Sequence, residues 1–374
     1  MENNIFGIKK KLGFGVMRPP MNGDKVDYEQ FTQMVDHFIE NGFNYFDTAS
    51  VYLNGESENA LKKCLTSRYP RESYILTNKC SGSLFSKEED LEEMFNKQLE
   101  RCGVDYFDIY LMHAQGSGNF KKYKECKAYE FAFRKKAEGK IKHVGFSFHD
   151  TAEVLEQILL EYPEIEVVQI QFNYLDYLDR SVQSKKCYEV CRKYNKPVLV
   201  MEPVKGGILV RLPEDAKKVY DRLGDLSYAS YAVRFAAGFD GMVSILSGMS
   251  TIEQLKDNVS YMKDFKPLSK EELDAVNEVV SIYTSNENLI NCTGCRYCVE
   301  GCPMKISIPD LFTCYNQNVM FEGGHWGYRG ITSKGAKPSD CIKCGKCEKE
   351  CPQKLPIREL LEKVTTAFEK REDK

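Results

Sequence analysis

Two runs of four cysteines near the carboxyl end constrain this chain more than any other feature of its sequence. Both follow the spacing C-x2-C-x2-C-x3-C-P: Cys292, Cys295, Cys298, Cys302 and Pro303, then Cys341, Cys344, Cys347, Cys351 and Pro352. A short loop with this spacing can wrap three thiolates around one corner of a metal cluster. The proline stops a helix from continuing through the fourth cysteine. We therefore predict a metal-binding domain at this end of the chain.

The spacing is that of bacterial ferredoxins, in which the fourth cysteine of one run ligates the cluster of the other run. It predicts two 4Fe-4S clusters. The expected ligand sets are Cys292, Cys295, Cys298 with Cys351, and Cys341, Cys344, Cys347 with Cys302. A zinc ribbon is the alternative, but it requires two pairs of cysteines rather than two runs of four.

The cluster domain is predicted to span residues 286–374 and to be mostly helical. Residues 308–312, with the sequence IPDLF, have the pattern of a helix start with proline near the first turn. Residues 355–360 repeat this pattern after the second run. Cys314, between the two runs, is either a ninth ligand or a buried apolar thiol.

Composition and charge exclude several classes of protein. The formal net charge is −3, so no strong electrostatic field favours nucleic acid or a membrane surface. No apolar run reaches the roughly 18 residues of a transmembrane helix. Of the 15 cysteines, eight belong to the two runs and the others are scattered, which suits a reducing compartment. We expect a cytoplasmic protein with neither a nucleic-acid nor a membrane partner.

The first 285 residues alternate short apolar runs with longer amphipathic stretches. The apolar runs are residues 12–16, 43–46, 74–77, 107–112, 143–146, 167–170, 197–200 and 241–246. Such alternation favours an α/β fold with a parallel sheet, and eight units over roughly 250 residues match a (β/α)8 TIM barrel. A doubly wound open sheet is the alternative, but no G-x-G-x-x-G follows the first run. We predict a barrel domain over residues 1–285.

Catalytic residues of such barrels lie at the carboxyl ends of the strands. Asp47, Tyr52, Lys79 and His113 stand at the ends of three predicted strands or in the loop that follows. A lysine cation held by an aspartate would lower the tyrosine pKa from about 10. A neutral imidazole could orient a carbonyl oxygen. We therefore predict proton donation to a carbonyl, with Tyr52 as the general acid.

Three segments carry a resemblance to a known family. They are residues 42–58 (GFNYFDTASVYLNGESE), residues 76–79 (LTNK) and residues 106–113 (YFDIYLMH). These segments resemble the signature and two further motifs of the aldo-keto reductases. The whole chain resembles the prokaryotic branch of that family that has a C-terminal 4Fe-4S ferredoxin-type domain. The resemblance implies an NADP-dependent oxidoreductase that reduces a small carbonyl-type substrate, with Asp47, Tyr52, Lys79 and His113 as its catalytic tetrad.

The resemblance also assigns cofactor contacts. Ser147 and Gln169 match positions that hydrogen-bond the nicotinamide carboxamide. The phosphate-binding segment, where a loop meets a helix N-terminus suited to an anion, contributes Ser247, Gly248, Met249, Gln254 and Asn258. Gly248 and Gln254 stand where the family commonly has a lysine and an arginine, and Met201 stands where an aromatic ring commonly stacks on the nicotinamide. The choice between NADP(H) and NAD(H) therefore stays open.

The two halves handle electrons differently, because a nicotinamide passes a two-electron hydride and a 4Fe-4S cluster passes one electron at a time. Three interpretations stay open. The clusters exchange electrons with a site at the barrel mouth, they dock a ferredoxin or another electron-transfer partner, or they stabilise a small domain. We predict an iron–sulfur oxidoreductase of the aldo-keto reductase type. The alternative is an electron-transfer subunit whose barrel is not an active nicotinamide enzyme.

Overall fold

The computed structural model describes residues 5–179, 182–286, 288–292 and 294–369. The chain divides into two compact units, Met1–Val276 and Asn277–Lys374. The outer ends of the two predicted domains, residues 1–4 and 370–374, lie outside the described residues. In the described part of the chain, no helix combines the length and apolar character needed to cross a membrane.

In the described residues, eight parallel strands of the first unit close into a barrel. In chain order they are β1 Leu12–Gly15, β2 Tyr45–Asp47, β3 Ile75–Cys80, β4 Phe107–Gln115, β5 Ile141–Phe148, β6 Val167–Gln171, β7 Val198–Met201 and β8 Met242–Ser247. Each strand pairs with the next one along the chain, and β8 pairs with β1. The prediction of a (β/α)8 barrel is confirmed, and each strand begins within two residues of a predicted apolar run.

Helices connect the strands on the outside of the barrel. They are α1 Tyr28–Glu40, α2 Glu56–Leu61, α3 Asp90–Cys102, α4 Phe120–Glu125, α5 Ala128–Ala137, α6 Ala152–Glu161, α7 Ser184–Lys193, α8 Glu214–Asp221, α9 Tyr228–Ala237, α10 Ile252–Met262 and α11 Lys270–Thr284. Shorter elements are the hairpin Met21–Asn22 with Lys25–Val26, the π-helical turn Lys62–Thr66 and the 3-10 turns Ile5–Gly7, Tyr52–Gly55, Arg71–Ser73 and Lys205–Val210.

Alternation along each strand sorts the apolar side chains into two layers. On β4, Ile109 and Leu111 belong to the cluster that fills the barrel interior. Tyr110 and Met112, one residue further on in each case, belong to the cluster between the strands and the helices. Successive strand residues point to opposite faces, so a strand that is apolar on both faces supplies both layers. The filled interior leaves the carboxyl ends of the strands as the place where polar groups meet.

The second unit is helical in its described residues, as predicted. Its helices are α12 Tyr297–Glu300, α13 Ile308–Phe321, α14 His325–Thr332, α15 Lys346–Glu350 and α16 Ile357–Phe368, with a 3-10 turn at Pro338–Asp340. Pro309 lies in the first turn of α13. The buried face of α16 consists of Ile357, Leu360, Leu361, Val364 and Phe368. This helical spacing packs α16 against α13 in a core of its own.

Candidate active site and cluster sites

The four predicted catalytic residues all lie at the carboxyl end of the barrel. Asp47 is the last residue of β2, and Tyr52 opens the 3-10 turn that follows. Lys79 and His113 lie near the ends of β3 and β4. Because β2, β3 and β4 are neighbours in the barrel, their ends bring these side chains to one place.

Lys79 is the centre of this group. Its ammonium nitrogen Nζ donates to Asp47 Oδ1 at 2.5 Å, to the carbonyl oxygen of Thr48 at 2.9 Å and to the Tyr52 hydroxyl at 3.3 Å. The Lys79 and Asp47 side chains are almost fully buried, at 1% and 6% exposure. Three acceptors match the three donors of an ammonium group, so the cation is held in one orientation.

The pKa values of this group differ in part from the prediction. Burial by itself lowers the pKa of Lys79, but the electrostatic interactions and hydrogen bonds with Asp47 and Tyr52 outweigh it and the pKa is raised. Burial raises the pKa of Tyr52, and this effect outweighs the nearby Lys79 cation, which lowers it. The expected lowering of the tyrosine pKa is therefore wrong. Tyr52 keeps its proton at neutral pH and remains a hydrogen-bond donor.

His113 completes the group. Its ring meets the Tyr52 ring edge-on, with centroids 5.9 Å apart, and its Nδ1 shares a hydrogen bond of 2.7 Å with Ser81 Oγ. Burial and the positive charge of Lys79 lower the pKa of His113 to about 3. The imidazole is therefore neutral at physiological pH, as the prediction required.

Two residues assigned to the nicotinamide lie side by side. Ser147 on β5 and Gln169 on β6 are paired in register. The Ser147 hydroxyl accepts the N–H of Ala114 at 2.7 Å, and Gln169 Nε2 donates to Asp47 Oδ2 at 3.1 Å. Gln169 thus holds the second oxygen of the carboxylate that orients Lys79. A hydroxyl and an amide next to each other form a donor and acceptor set that fits a carboxamide.

The segment assigned to the phosphates runs from the end of β8 into α10. Ser247 and Asn258 are buried and joined by a hydrogen bond of 2.6 Å from Asn258 Nδ2 to Ser247 Oγ. Met249 is buried as well, whereas Gly248 and Gln254 are exposed. Of the five predicted phosphate-binding residues, three are therefore buried and two are accessible to a ligand.

Sequence reasoning missed a buried polar network behind Lys79. The Asn78 side chain accepts the Lys79 N–H at 2.8 Å and donates to Glu58 at 2.8 Å. Gln98 on α3 donates to the carbonyl of Lys79 and to Ser50 Oγ, both at 2.8 Å. These bonds fix the backbone on both sides of the lysine. Gln98 lies on the apolar, buried face of α3. A polar residue at such a position usually has a buried hydrogen-bond partner, and this feature of the sequence could have indicated the network.

The cysteines of the two runs surround two cavities in the second unit. The cysteines lining the first are Cys292, Cys295, Cys298 and Cys351, and those lining the second are Cys302, Cys341, Cys344 and Cys347. These are the two crossed sets expected from the ferredoxin spacing. The six cysteines of the first unit, by contrast, are buried free thiols. Cys314 is buried and lines neither cavity, which favours the buried thiol over a ninth ligand.

The donor set fits a cluster better than a single ion. Within the described residues, no three Cys, His, Asp or Glu side chains are placed to hold one metal ion. A zinc site would need four ligands at about 2.0–2.3 Å from one centre. Four thiols around a cavity that also has apolar walls, such as Phe312 in the first and Leu361 in the second, suit a cubane.

Two family models match the chain. One, described as "Aldo/keto reductase family", matches residues 11–281, and the other, described as "4Fe-4S dicluster domain", matches residues 291–355. The NADH-specific methylglyoxal reductase of Escherichia coli (strain K12) is 27% identical over 286 residues, covering 65% of this chain and 85% of that protein. Glyoxal reductase of Bacillus subtilis (strain 168) is 33% identical over 148 residues, 39% of this chain and 49% of its own length.

Solved structures give the same picture of the barrel. The holo form of aldo-keto reductase AKR11C1 from Bacillus halodurans aligns with a TM-score of 0.60 at 25% identity, covering 72% of this chain and 92% of that one. An aldo-keto reductase from Klebsiella pneumoniae in complex with NADPH aligns with a TM-score of 0.58 at 20% identity, covering 73% and 95%. The second likeness concerns the fold alone.

Proposed function

This chain belongs to the aldo/keto reductase family and carries a 4Fe-4S domain, and from that premise we propose that it reduces a small carbonyl compound with a nicotinamide cofactor. Tyr52 is the general acid, and Lys79, Asp47 and His113 complete the catalytic tetrad. The proposal depends above all on one observation, the three hydrogen bonds that hold the Lys79 ammonium between Asp47, Thr48 and Tyr52.

Each residue of the tetrad has a separate task. Tyr52 donates its phenolic proton to the carbonyl oxygen as negative charge develops there, and Lys79 stabilises the resulting phenolate. Asp47, held in turn by Gln169, keeps the lysine charged and in place. His113, being neutral, hydrogen-bonds the carbonyl oxygen without competing for the proton. Solvent then returns a proton to Tyr52.

The nicotinamide is assigned to Ser147 and Gln169, whose adjacent positions fit its carboxamide. When bound, it supplies the hydride that the carbonyl carbon accepts while the oxygen takes the proton of Tyr52. The products are an alcohol and the oxidised cofactor. The phosphates are assigned to Ser247, Gly248, Met249, Gln254 and Asn258.

We assign two 4Fe-4S clusters to the second unit, each held by the four cysteines that line one cavity. Cys295 lines the first cavity and Cys344 the second, and both are exposed at the surface. A ligand at the surface brings the edge of a cluster within reach of a partner in solution. This supports electron transfer, with a ferredoxin or another one-electron carrier as the partner, over a purely structural role.

Two further parts of the proposal concern the whole chain. We propose that the barrel domain extends beyond Val276, through the end of α11 to residue 285, which limited proteolysis of the intact chain would test. We assign the protein to the reducing cytoplasm, because six buried free thiols of the first unit and the cluster cysteines suit that compartment.

The test of the activity is anaerobic carbonyl reduction by the purified full chain. Methylglyoxal is a suitable first substrate, since the E. coli relative carries that compound in its name. We expect Tyr52→Phe to lower kcat/KM by about 100-fold to 10,000-fold, the usual contribution of a general acid.

The matched control is Tyr188→Phe, because the Tyr188 hydroxyl on α7 donates to the carbonyl of Asp240, outside the tetrad. This variant should keep full activity. Equal activity of Tyr52→Phe and the wild type would disprove the tetrad assignment.

A further inference from the structure

Three N–H groups at the start of α10 are already occupied by side chains of this chain. The N–H of Ser250 donates to Gln254 Oε1 at 2.8 Å, and the N–H of Gln254 donates to Thr251 Oγ1 at 3.3 Å. The N–H of Ile252 donates to Gln30 Oε1 at 3.2 Å. Free N–H groups are what make a helix N-terminus attractive to a phosphate. Here an incoming phosphate would first have to displace two glutamine side chains.

The surface beside this helix start is negatively charged. A groove next to it is lined by Asp27, Glu29, Gln30, Gln33, Thr251, Ile252 and Glu253. Three of these side chains are carboxylic acids, and none of the lining residues among those described is a lysine, arginine or histidine. A phosphate monoester carries a charge of about −1.5 to −2 at neutral pH. Carboxylates within a Debye length would repel it.

Cations are missing from the two exposed positions of the segment, Gly248 and Gln254. A nearby cation is Arg18, whose guanidinium lies 3.7 Å from where a Cβ on Gly248 would be. Burial raises the pKa values of Tyr52 and Glu202, and the charge of Arg18 opposes that rise at both groups. Both residues follow barrel strands at the mouth, so the positive charge of Arg18 acts on groups close to the proposed reaction site.

We infer that this segment selects NADH over NADPH. The inference rests on the proposed function and specifies the cofactor of that same site. The two cofactors differ only at the adenosine ribose, where NADPH has a 2′-phosphate and NADH a neutral hydroxyl. The hydroxyl needs no cation and can donate a hydrogen bond to a carboxylate. The phosphate needs positive charge and free N–H groups, whereas neither Gly248 nor Gln254 carries a charge and three N–H groups of this segment are already bonded to side chains.

The experiment measures the Kd of NADH and of NADPH for the full chain, purified anaerobically, by titrating the fluorescence of each nucleotide. We expect NADH to bind at least about tenfold more tightly than NADPH, the effect of a single unfavourable charge contact. The double variant Gly248→Lys with Gln254→Arg should bind NADPH about tenfold or more tightly than wild type, with little change for NADH. A Cβ on Gly248 meets its neighbours at ordinary contact distance, so the site accepts a side chain.

The matched control is Gly248→Gln with Gln254→Met, which frees the same Ser250 N–H without adding charge and should strengthen NADPH binding much less than the charged pair does. If the charged double variant does not fold, Glu253→Lys at an exposed position tests the same electrostatic argument and should also strengthen NADPH binding. Wild-type protein that binds NADPH as tightly as NADH would overturn the inference but not the proposed function. Protein that binds neither nucleotide would overturn both.

Discussion

The side chains at the barrel mouth and those in the cysteine-rich unit are held in place by different kinds of interaction. At the mouth, protein groups hold every member of the proposed tetrad: Asp47 by Lys79 and Gln169, Lys79 by three acceptors, Tyr52 by Lys79, and His113 by Ser81. In the second unit, three proposed cluster ligands, Cys298, Cys347 and Cys351, are themselves part of the hydrophobic core. The geometry of the mouth is therefore a product of folding alone, whereas the core of the second unit includes side chains that the proposed clusters would bind.

Size explains the difference. The barrel buries a large apolar layer between its strands and helices and a smaller one inside its strands. In its described residues, the second unit has a small core assembled from short helices. A small core commonly needs a metal or another covalent constraint to be stable, because it buries too little apolar surface to offset the conformational entropy of the chain. Four predictions test this contrast, from the largest expected effect to the smallest.

Removal of iron should unfold the second unit selectively. Chelation of iron, or Cys347→Ser, should cost the second unit several kcal/mol, because metal binding and folding are coupled in small metal domains. Hydrogen–deuterium exchange read by mass spectrometry should show lost protection in α13 and α16 and retained protection in β2–β5. Cys314→Ala is the control, since Cys314 is equally buried but lines neither cavity. An equal loss of protection in both units would mean that the second unit depends on iron no more than the barrel does.

Lys79→Met should damage the mouth without any change in metal content. We expect a fall in kcat/KM of about 100-fold or more. We also expect a loss of about 3–5 kcal/mol in unfolding free energy, because buried Asp47 would lose its cation. Lys135→Met is the control, since Lys135 is also nearly buried but pairs with Glu92 and Glu138 away from the mouth. Iron content, circular dichroism and chemical denaturation give the comparison.

Gln98→Leu should have a smaller effect on the same site. The variant removes the donors to the Lys79 carbonyl and Ser50, and it leaves the Tyr110 hydroxyl without its acceptor. We expect a loss of about 1–3 kcal/mol in stability and a lower kcat at similar KM. Met94→Leu, one turn earlier on the buried face of α3, controls for repacking of the helix. Unchanged kcat would mean that the network does not position Lys79.

The mildest effect on activity should be that of pH. His113 has a folded-state pKa of about 3, below its ordinary value of 6.5, so it should cause no inflection in kcat/KM between pH 5 and 8. Between pH 6.5 and 3 the unfolded chain binds a proton that the folded chain does not. Stability should therefore fall as pH decreases through this window, by at most about 1.4 kcal/mol per unit. In His113→Asn this contribution to the slope should disappear, which denaturation at several pH values would measure.

Much of the fold could be predicted from short stretches of the sequence. Apolar runs located the eight barrel strands, and proline in the first turn located the start of α13. The helical character of the second unit followed from the same signals. Each is a property of a few consecutive residues, because strand alternation and helix starts depend on neighbours in the chain.

Tertiary structure alone decided the rest. The direction of the Tyr52 pKa depends on how deeply packing buries the phenol, and no neighbouring residue in sequence reports that. The same holds for Gln98, which reaches Lys79 from a helix across the barrel wall, and for Gln30, which caps α10 from α1. Burial and long-range hydrogen bonds are set by residues far apart in the chain. A sequence pattern names the groups that can make such contacts, and only the folded chain determines which of them do.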